Sequence, residues 1–431
     1  MDKTAERILS RIDANADRII SFADDIFRAA EPGYHEVRTA GKVAEIFREL
    51  GIQTEEHIAI TGVRGTIGEA KGPALALIGE LDGIVCPEHP YASPQTYASH
   101  ACGHNVQLAA LIGSAFALSN PEIASQLGAR IRLLAVPAEE YRGEAAALSL
   151  AGKVKYGKSG KSEFLYQGYF DDIAAFVTHH VHYYPCDADA LIGSNSTNGF
   201  QSKTVTYIGK AAHAGGAPWD GINALNAAAI GLNALAYARE TFREEDHVRV
   251  HPVIREAGQA VNVVPDRAVL EMMVRAGTLS AIEDAAAKTD RAFLAGAVAT
   301  GAEIQIESSM GCFPVLPSAP CKALLDVTSM LPDADIRPVD LRIHNSLSTD
   351  VGDLSHLYPI VNFTTGGFTG GLHQKDFAIP DPHKAYILPA KIMALTAYNL
   401  VKNAASELSA LRDAFRPVLT KEEYFAIMDK R

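Results

Sequence analysis

What this 431-residue sequence lacks excludes several classes of protein. It has no excess of basic residues, since 39 lysines and arginines stand against 51 aspartates and glutamates, and the formal net charge is −12 with histidine neutral. An acidic chain lacks the basic footprint that nucleic acids and anionic membranes attract, so we expect neither as a partner. Its five cysteines are an odd number in a long chain, which indicates a reducing compartment and no disulfide framework.

The sequence also has no window of 18 uninterrupted apolar residues, which predicts that no helix spans a membrane. Its first 25 residues carry charge throughout, and this pattern predicts no secretory signal. We therefore expect a cytoplasmic protein. A hydrophobic fraction of 48 % with 21 % charged residues is typical of globular proteins, and the length predicts two or three domains.

Apolar runs alternate with helical patterns over much of the chain, and this predicts an α/β domain with a mostly parallel sheet covered by helices. The predicted strands are Val63–Ile67, Ala74–Ile78, Arg130–Val136, Ile173–Thr178 and, far downstream, Ile360–Thr364. The predicted helices cover residues 3–30, 38–50, 105–119 and 384–411. Residues 153–162 are polar and contain glycine, which predicts a loop.

The pattern changes near residue 200. Strand-like and helix-like segments then follow in the order β-α-β-β-α-β, which is typical of a small ferredoxin-like α+β domain. We therefore predict a discontinuous larger domain, residues 1–194 and 309–431, interrupted by a smaller domain at residues 195–308.

Cys102 and His104 lie where a loop gives way to a predicted helix, with Gly103 between them. A thiolate and an imidazole at this spacing suit a transition-metal ion. A buried cysteine beside a helix-terminal histidine is an alternative interpretation. A nucleophilic cysteine paired with histidine is another.

Further polar residues follow the ends of other predicted strands, where open α/β sheets place their sites. Glu139 and Glu140 come after Arg130–Val136, and this pair allows one carboxylate to bind a metal while the other acts as a general base. His179, His180 and His182 end the next run, and alternation along a strand allows only some of them to face one site. His373 follows the glycine-rich segment after Ile360–Thr364.

Together these positions supply one thiolate, one carboxylate and three imidazoles at strand ends of one domain. Such a set suits one or two divalent transition ions. The five candidate ligands are Cys102, His104, Glu140, His180 and His373.

Six short motifs occur in order along the chain: GELDG at 79–83, ACGHN at 101–105, PAEE at 137–140, GKAAHA at 209–214, AVNVVPD at 260–266 and STDVG at 348–352. In this combination the sequence resembles the M20 family of metallopeptidases and amidohydrolases. The resemblance is to the aminoacylase-like and p-aminobenzoyl-glutamate hydrolase-like branch, whose metal motif contains cysteine, and it extends from Glu31 to about Ala397.

The resemblance implies roles for residues of the larger domain. Cys102 is expected to bridge two metal ions, Glu139 to act as the general base and Glu140 to be a metal ligand. His180 matches the ligand after the next strand, with His179 as a one-residue alternative. Asp82 matches a carboxylate that orients a ligand or the base.

In the smaller domain, the resemblance implies a lid and a homodimer. His213 matches a histidine that polarises the scissile carbonyl, in many members within the partner's site. Asn262 and Arg275 match a pair that holds the free carboxylate of the substrate, and guanidinium suits that role because it binds carboxylate in a bidentate manner.

The expected reaction is hydrolysis of the amide bond of N-acyl or N-aroyl amino acids or dipeptides, by attack of a metal-bound water that Glu139 deprotonates. Zn²⁺ or Mn²⁺ is the expected ion, with Co²⁺ or Ni²⁺ as alternatives. Asn105 stands where many members have aspartate, and the residues 141–144 replace a glycine run, so the substrate stays open. A non-catalytic binding protein with the same fold and a cysteine hydrolase are the competing hypotheses.

Overall fold

The computed structural model describes residues 2–140, 152–156 and 159–430, which form two compact units. The first unit contains the chain up to Asn195, together with Pro317–Ile343 and Leu354–Val418. The second contains Ser196–Leu316, His344–Asp353 and the chain from Leu419 onward. In chain order, the strands are β1 Gln53–Ile58, β2 Gly62–Ile67, β3 Ala74–Glu80, β4 Ile84–Val85, β5 Ala98–Ser99, β6 Ile131–Val136, β7 Ile173–Val181, β8 Ala190–Ile192, β9 Ser196–Thr197, β10 Gly199–Ile208, β11 Arg249–Glu256, β12 Arg267–Ala276, β13 Glu303–Cys312, β14 Ile336–Pro338, β15 His344–Asn345 and β16 Ile360–Thr365.

A central sheet organises the first unit. Within the described residues it has eight strands in the order β1-β2-β6-β3-β7-β16-β8-β14. Strands β6, β3, β7 and β16 pair in parallel at its centre. Strand β1 pairs antiparallel with β2, β2 with β6, and β8 with β16, whereas β14 and β8 pair in parallel at the other edge. Every residue of β3 and β7 is buried, as expected for strands covered on both faces. The predicted α/β architecture is confirmed.

Helices pack on this sheet at nearly the predicted positions. The predicted single helix at residues 3–30 is wrong: these residues form two helices, because the chain leaves helical geometry at Asn15, with φ −113° and ψ 12°. The apolar repeat continues through this break, so periodicity alone did not reveal it. Within the described residues, the α-helices of the first unit are Lys3–Ala14, Ala16–Phe27, Val37–Glu49, His104–Leu118, Pro121–Ala124, Gly160–Tyr166, Lys322–Met330 and Leu388–Ala414. The last is interrupted at Lys402–Ala405, where the backbone leaves helical geometry, so the predicted helix at residues 384–411 is not continuous.

The second unit is built on an antiparallel sheet of order β11-β12-β10-β13. The helices Ala224–Ala238 and Leu279–Thr300 pack against each other and the sheet, around a core that includes Val205, Leu270 and Phe293. This β-α-β-β-α-β order confirms the predicted ferredoxin-like arrangement.

The predicted loop at residues 153–162 is wrong at its end. Ser159 caps a helix that begins at Gly160, because its side chain accepts a hydrogen bond from the backbone N–H of Ser162. Within the described ranges, no helix combines the length and the apolar character needed to cross a bilayer.

Candidate metal centre

The C-terminal ends of parallel strands bring the candidate ligands of the first unit together. His104 is the first residue of the helix His104–Leu118, and Gly103 makes the turn before it with φ 83°. A side chain at Gly103 would come within 2.9 Å of Val181, so only glycine fits this turn. His180 lies near the end of β7, and the segment after β16 carries His373.

Among the described residues, three groups of side chains each place three ligand atoms within 4.8 Å of one another, and two of these groups share Cys102. One group is Cys102, His104 and His180, and the other is Cys102, Glu140 and His373. The third group is Glu80, His104 and Glu139. Because Cys102 belongs to two of the groups, its thiolate would be able to serve cations in both. The structure therefore brings together all five ligands expected from the sequence.

The separations within these groups suit metal ligands. The Cys102 Sγ atom lies 3.6 Å from His180 Nε2 and 3.3 Å from His373 Nε2, and His373 Nε2 lies 3.4 Å from Glu140 Oε1. Two ligand atoms of one tetrahedral ion, each about 2.1–2.3 Å from it, are about 3.4–3.6 Å apart. Glu140 Oε1 is buried and has no hydrogen-bond partner among the described residues, as expected for a ligand atom that serves an ion.

Burial controls the protonation of these groups. It raises the pKa of the Cys102 thiol well above its ordinary value, so a cation is needed to hold the thiolate. It lowers the pKa of His180 to about 4, which keeps this imidazole in the neutral form that binds metals. Burial would also lower the pKa of His104, but the neighbouring Glu80 carboxylate raises it well above its ordinary value.

The tautomer of His104 follows from its contacts. Its Nδ1 atom lies 2.8 Å from the carbonyl oxygen of Asp82, which can only accept a hydrogen bond. Nδ1 therefore carries the hydrogen, and Nε2 is the nitrogen that is able to bind an ion.

Asp82 also positions the paired glutamates. Its two carboxylate oxygens accept hydrogen bonds from the backbone N–H groups of Glu139, at 3.1 Å, and Glu140, at 2.9 Å. The residue before them, Ala138, has φ 55°, and its N–H donates to Glu36 Oε1 at 2.9 Å. The buried carboxyl groups of Asp82 and Glu36 thus hold three successive amides in a turn that costs alanine of the order of 1–2 kcal/mol.

This turn places Glu139 beside the ligand groups. Its Oε2 atom lies 3.8 Å from His104 Nε2, and its side chain is 11 % exposed. The side chain of His373 is 49 % exposed, so the ligand groups reach solvent on that side. A carboxylate in this position is able to exchange protons with molecules that enter from solvent.

The alternative ligand His179 points elsewhere. Its Nε2 atom lies 2.8 Å from the Thr365 hydroxyl, whereas His180 is the histidine that faces Cys102. Strand alternation separates the two side chains, as the sequence pattern required.

Sequence reasoning missed two buried charges beside the ligands. Glu80 Oε2 lies 3.1 Å from His104 Nε2, and Lys161 Nζ lies 2.5 Å from Glu80 Oε1. Glu80 could have been predicted from the sequence, because alternation places it on the same side of the chain as Asp82. Nothing in the sequence pointed to Lys161, which lies 81 residues away.

The other expected site residues lie in the second unit. His213 and Asn262 are both exposed and are neighbours. The backbone of His213 pairs with that of Val263 in an isolated antiparallel β-bridge, and the Ala214 N–H donates to the Asn262 carbonyl. The Nδ1 atom of His213 accepts the N–H groups of Gly215 and Gly216, so its Nε2 carries a hydrogen for donation.

Arg275 lies at the opposite end of β12 from Asn262. Arg275 lies eight positions along the extended strand from its first residue, Arg267, which is roughly 26 Å at the usual rise. Its guanidinium is half-buried, donates to the Ser348 hydroxyl at 2.6 Å and lies over the Phe200 ring. Within one chain, the structure does not bring Asn262 and Arg275 together. Residues 141–144, which replace the usual glycine run, lie outside the described residues.

Comparisons with known proteins agree with this architecture. Residues 195–297 match the peptidase dimerisation domain. The mouse Xaa-Arg dipeptidase is 27 % identical over 97 % of this chain and 93 % of its own length, and the Bacillus subtilis N-acetyl-L-cysteine deacetylase is 30 % identical over 60 % and 59 %. The crystal structure of the Bacillus subtilis YXEP protein, a dinuclear metal-binding peptidase of the M20 family, superposes with a TM-score of 0.64 at 21 % identity, and covers 90 % of this chain and 99 % of that one.

The chain is therefore similar to peptidases and amidohydrolases of the M20 family over nearly its whole length. The family resemblance carried by its motifs is confirmed, and the protein is a hydrolase.

Proposed function

We propose that this protein hydrolyses the amide bond of N-acyl amino acids, N-aroyl amino acids or dipeptides with two divalent cations. The observation that carries the proposal is the sharing of Cys102 between two three-residue ligand groups. His104 and His180 would complete one cation site, and Glu140 and His373 the other. The mouse relative is named for a dipeptide and the bacterial one for an N-acyl amino acid, which supports these two substrate classes.

The proposed ligands would hold divalent cations, which would supply Lewis acidity towards the amide carbonyl and the attacking water. Glu139 then acts as the general base and afterwards returns its proton to the leaving amine. Asp82 holds the backbone of Glu139 and so fixes where this carboxylate reaches.

Residues of the second unit would recognise the substrate. We expect His213 to donate its Nε2–H to the oxygen that becomes negative in the reaction, and its loss to lower kcat on the order of 10²- to 10³-fold. Arg275 and Asn262 would bind the free carboxylate of the leaving amino acid. Asn262 and Arg275 of the same chain lie far apart. We therefore propose that two chains contribute residues to each substrate site.

A homodimer formed through the domain at residues 195–308 would supply the second chain. Tyr237 and Ile230 are exposed on one face of the helix Ala224–Ala238, and β11 is an edge strand of the sheet. Sedimentation velocity at micromolar concentration should show a dimer for the wild type and a monomer for Tyr237→Glu. The substitution Val298→Glu, at an exposed apolar residue of the other helix, is the matched control. A monomeric wild-type protein would contradict the dimer.

Glu139→Gln tests the reaction. This variant should retain both cations, because Glu139 is not among the proposed ligands, and it should lose turnover of a panel of N-acyl amino acids and dipeptides. Glu140→Gln is the matched neighbour and should lose cation as well as turnover. A Glu139→Gln enzyme with wild-type turnover would refute the proposal. A wild-type protein that binds substrate without turnover would support the binding-protein alternative, and activity that survives chelation would support a cysteine hydrolase.

A further inference from the structure

The ion pair between Lys161 and Glu80 is unused by the proposed reaction. Both side chains are buried, and Lys161 Nζ lies 2.5 Å from Glu80 Oε1. Removing both charges from water is costly unless the pair is well connected. Gln107 completes the connections, since its Nε2 donates to Glu80 Oε2 at 2.6 Å and its Oε1 accepts the Glu80 backbone N–H at 3.2 Å.

Glu80 lies at the distance of a metal ligand. Its Oε2 atom is 3.1 Å from His104 Nε2, close to the separation of about 3.4 Å expected for two ligands of one tetrahedral ion. Glu80, His104 and Glu139 also place their ligand atoms within 4.8 Å of one another. Without its partners, Glu80 would be a further carboxylate ligand beside His104.

The helix that carries Lys161 is fixed against the turn of the paired glutamates. A side chain at Gly160 would come within 1.9 Å of the Pro137 carbonyl oxygen, so the helix begins in direct contact with the segment that leads to Glu139. The position of Lys161 is therefore set by the backbone and not by a flexible loop.

We propose that Lys161 is a positioning residue of the metal centre, which binds Glu80 and thereby keeps this carboxylate from becoming a metal ligand. The inference rests on the proposed dinuclear centre. Lys161 neutralises Glu80 and occupies one of its oxygens, while Gln107 holds the other. The cation then binds His104 without a competing carboxylate, and Glu139 is left to act as the base.

Cobalt substitution provides the test, because the absorption of Co²⁺ reports its coordination number and ligands. Apo wild-type protein, Lys161→Met, Glu80→Gln/Lys161→Met and the control Lys203→Met are each titrated with Co²⁺. Lys203 is a suitable control because it is buried and paired with Asp290 in the second unit. Bound cobalt is measured in parallel by mass spectrometry.

Lys161→Met should change the cobalt spectrum towards higher coordination and release cobalt to a chelator about tenfold or more slowly, because Glu80 becomes a ligand. The double variant should restore the wild-type spectrum, and Lys203→Met should not change it. If Lys161→Met does not fold, Lys161→Leu, which also removes both the charge and the donor, should give the same change.

The inference is overturned if the lysine variants have the wild-type spectrum, or if the double variant fails to reverse the change. A wild-type protein that binds no cobalt overturns the dinuclear centre itself, and with it this inference. These two failures are therefore distinguishable.

Discussion

The substitution Glu36→Gln should make the protein more stable near neutral pH. Glu36 is fully buried, and burial together with the Asp82 charge raises its pKa to about 8. Its Oε1 atom accepts the Ala138 N–H, and its Oε2 atom lies 2.6 Å from the Thr61 hydroxyl oxygen, which accepts the Oε2–H of the protonated acid. Glutamine keeps the shape and both contacts, because its NH₂ group donates to the Thr61 oxygen in the same way, and it has no proton to lose.

The sign and size of the effect follow from the two pKa values. An unfolded glutamate ionises above its ordinary value of 4.5, while the folded one keeps its proton up to about pH 8. The stability that this proton gives is therefore complete below the unfolded pKa and is lost as the pH rises towards the folded value, by about 1.4 kcal/mol per unit. Between about pH 5 and about pH 7 the wild-type protein should lose roughly 2 kcal/mol that the glutamine variant keeps.

Urea unfolding of chelator-treated protein at these two pH values measures this difference. The variant should gain stability over the wild type on going from pH 5 to pH 7. Glu45→Gln is the matched control, since Glu45 is exposed on the helix Val37–Glu49, and it should show no such trend. A stability difference between Glu36→Gln and the wild type that does not depend on pH would refute the reasoning.

Three further predictions test packing and recognition. Gly113→Ala should lower the free energy of unfolding by about 1–3 kcal/mol, because its Cβ would lie 2.4 Å from that of Ala390. In the same denaturation assay, Gly41→Ala should raise the free energy of unfolding by about 0.5–1 kcal/mol, because a Cβ added to this helical glycine would meet no atom within 4 Å. A change of the opposite sign in either glycine variant would contradict the packing described. Arg275→Lys should raise KM about tenfold for substrates with a free carboxylate and leave KM unchanged for their carboxamides, and equal effects on both would exclude carboxylate capture.

The sequence was sufficient to predict the convergence of the ligands because of strand geometry. The residues after β6 and those near the end of β7 had to meet at one edge once these strands were parallel. The sequence was not sufficient to predict the Lys161–Glu80 pair, because a contact between residues so far apart along the chain leaves no periodic pattern. The break at Asn15 was missed for the opposite reason, since the apolar repeat is continuous across it.

The order of the motifs was sufficient to indicate the family resemblance. It did not predict where Arg275 lies relative to Asn262. The family resemblance suggested that Asn262 and Arg275 act as a pair, whereas the extended strand between them places the two residues at opposite ends of the sheet. Strand alternation places His179 and His180 on opposite sides but does not say which one faces Cys102. The coordinates were needed to show that it is His180.

Anomalous diffraction from crystals grown with Zn²⁺ tests the central claim most directly. We predict two peaks, one among Cys102, His104 and His180 and the other among Cys102, Glu140 and His373, with the Cys102 sulfur between them. A map without a peak at these residues, or with a single ion that Cys102 does not contact, would contradict the dinuclear centre.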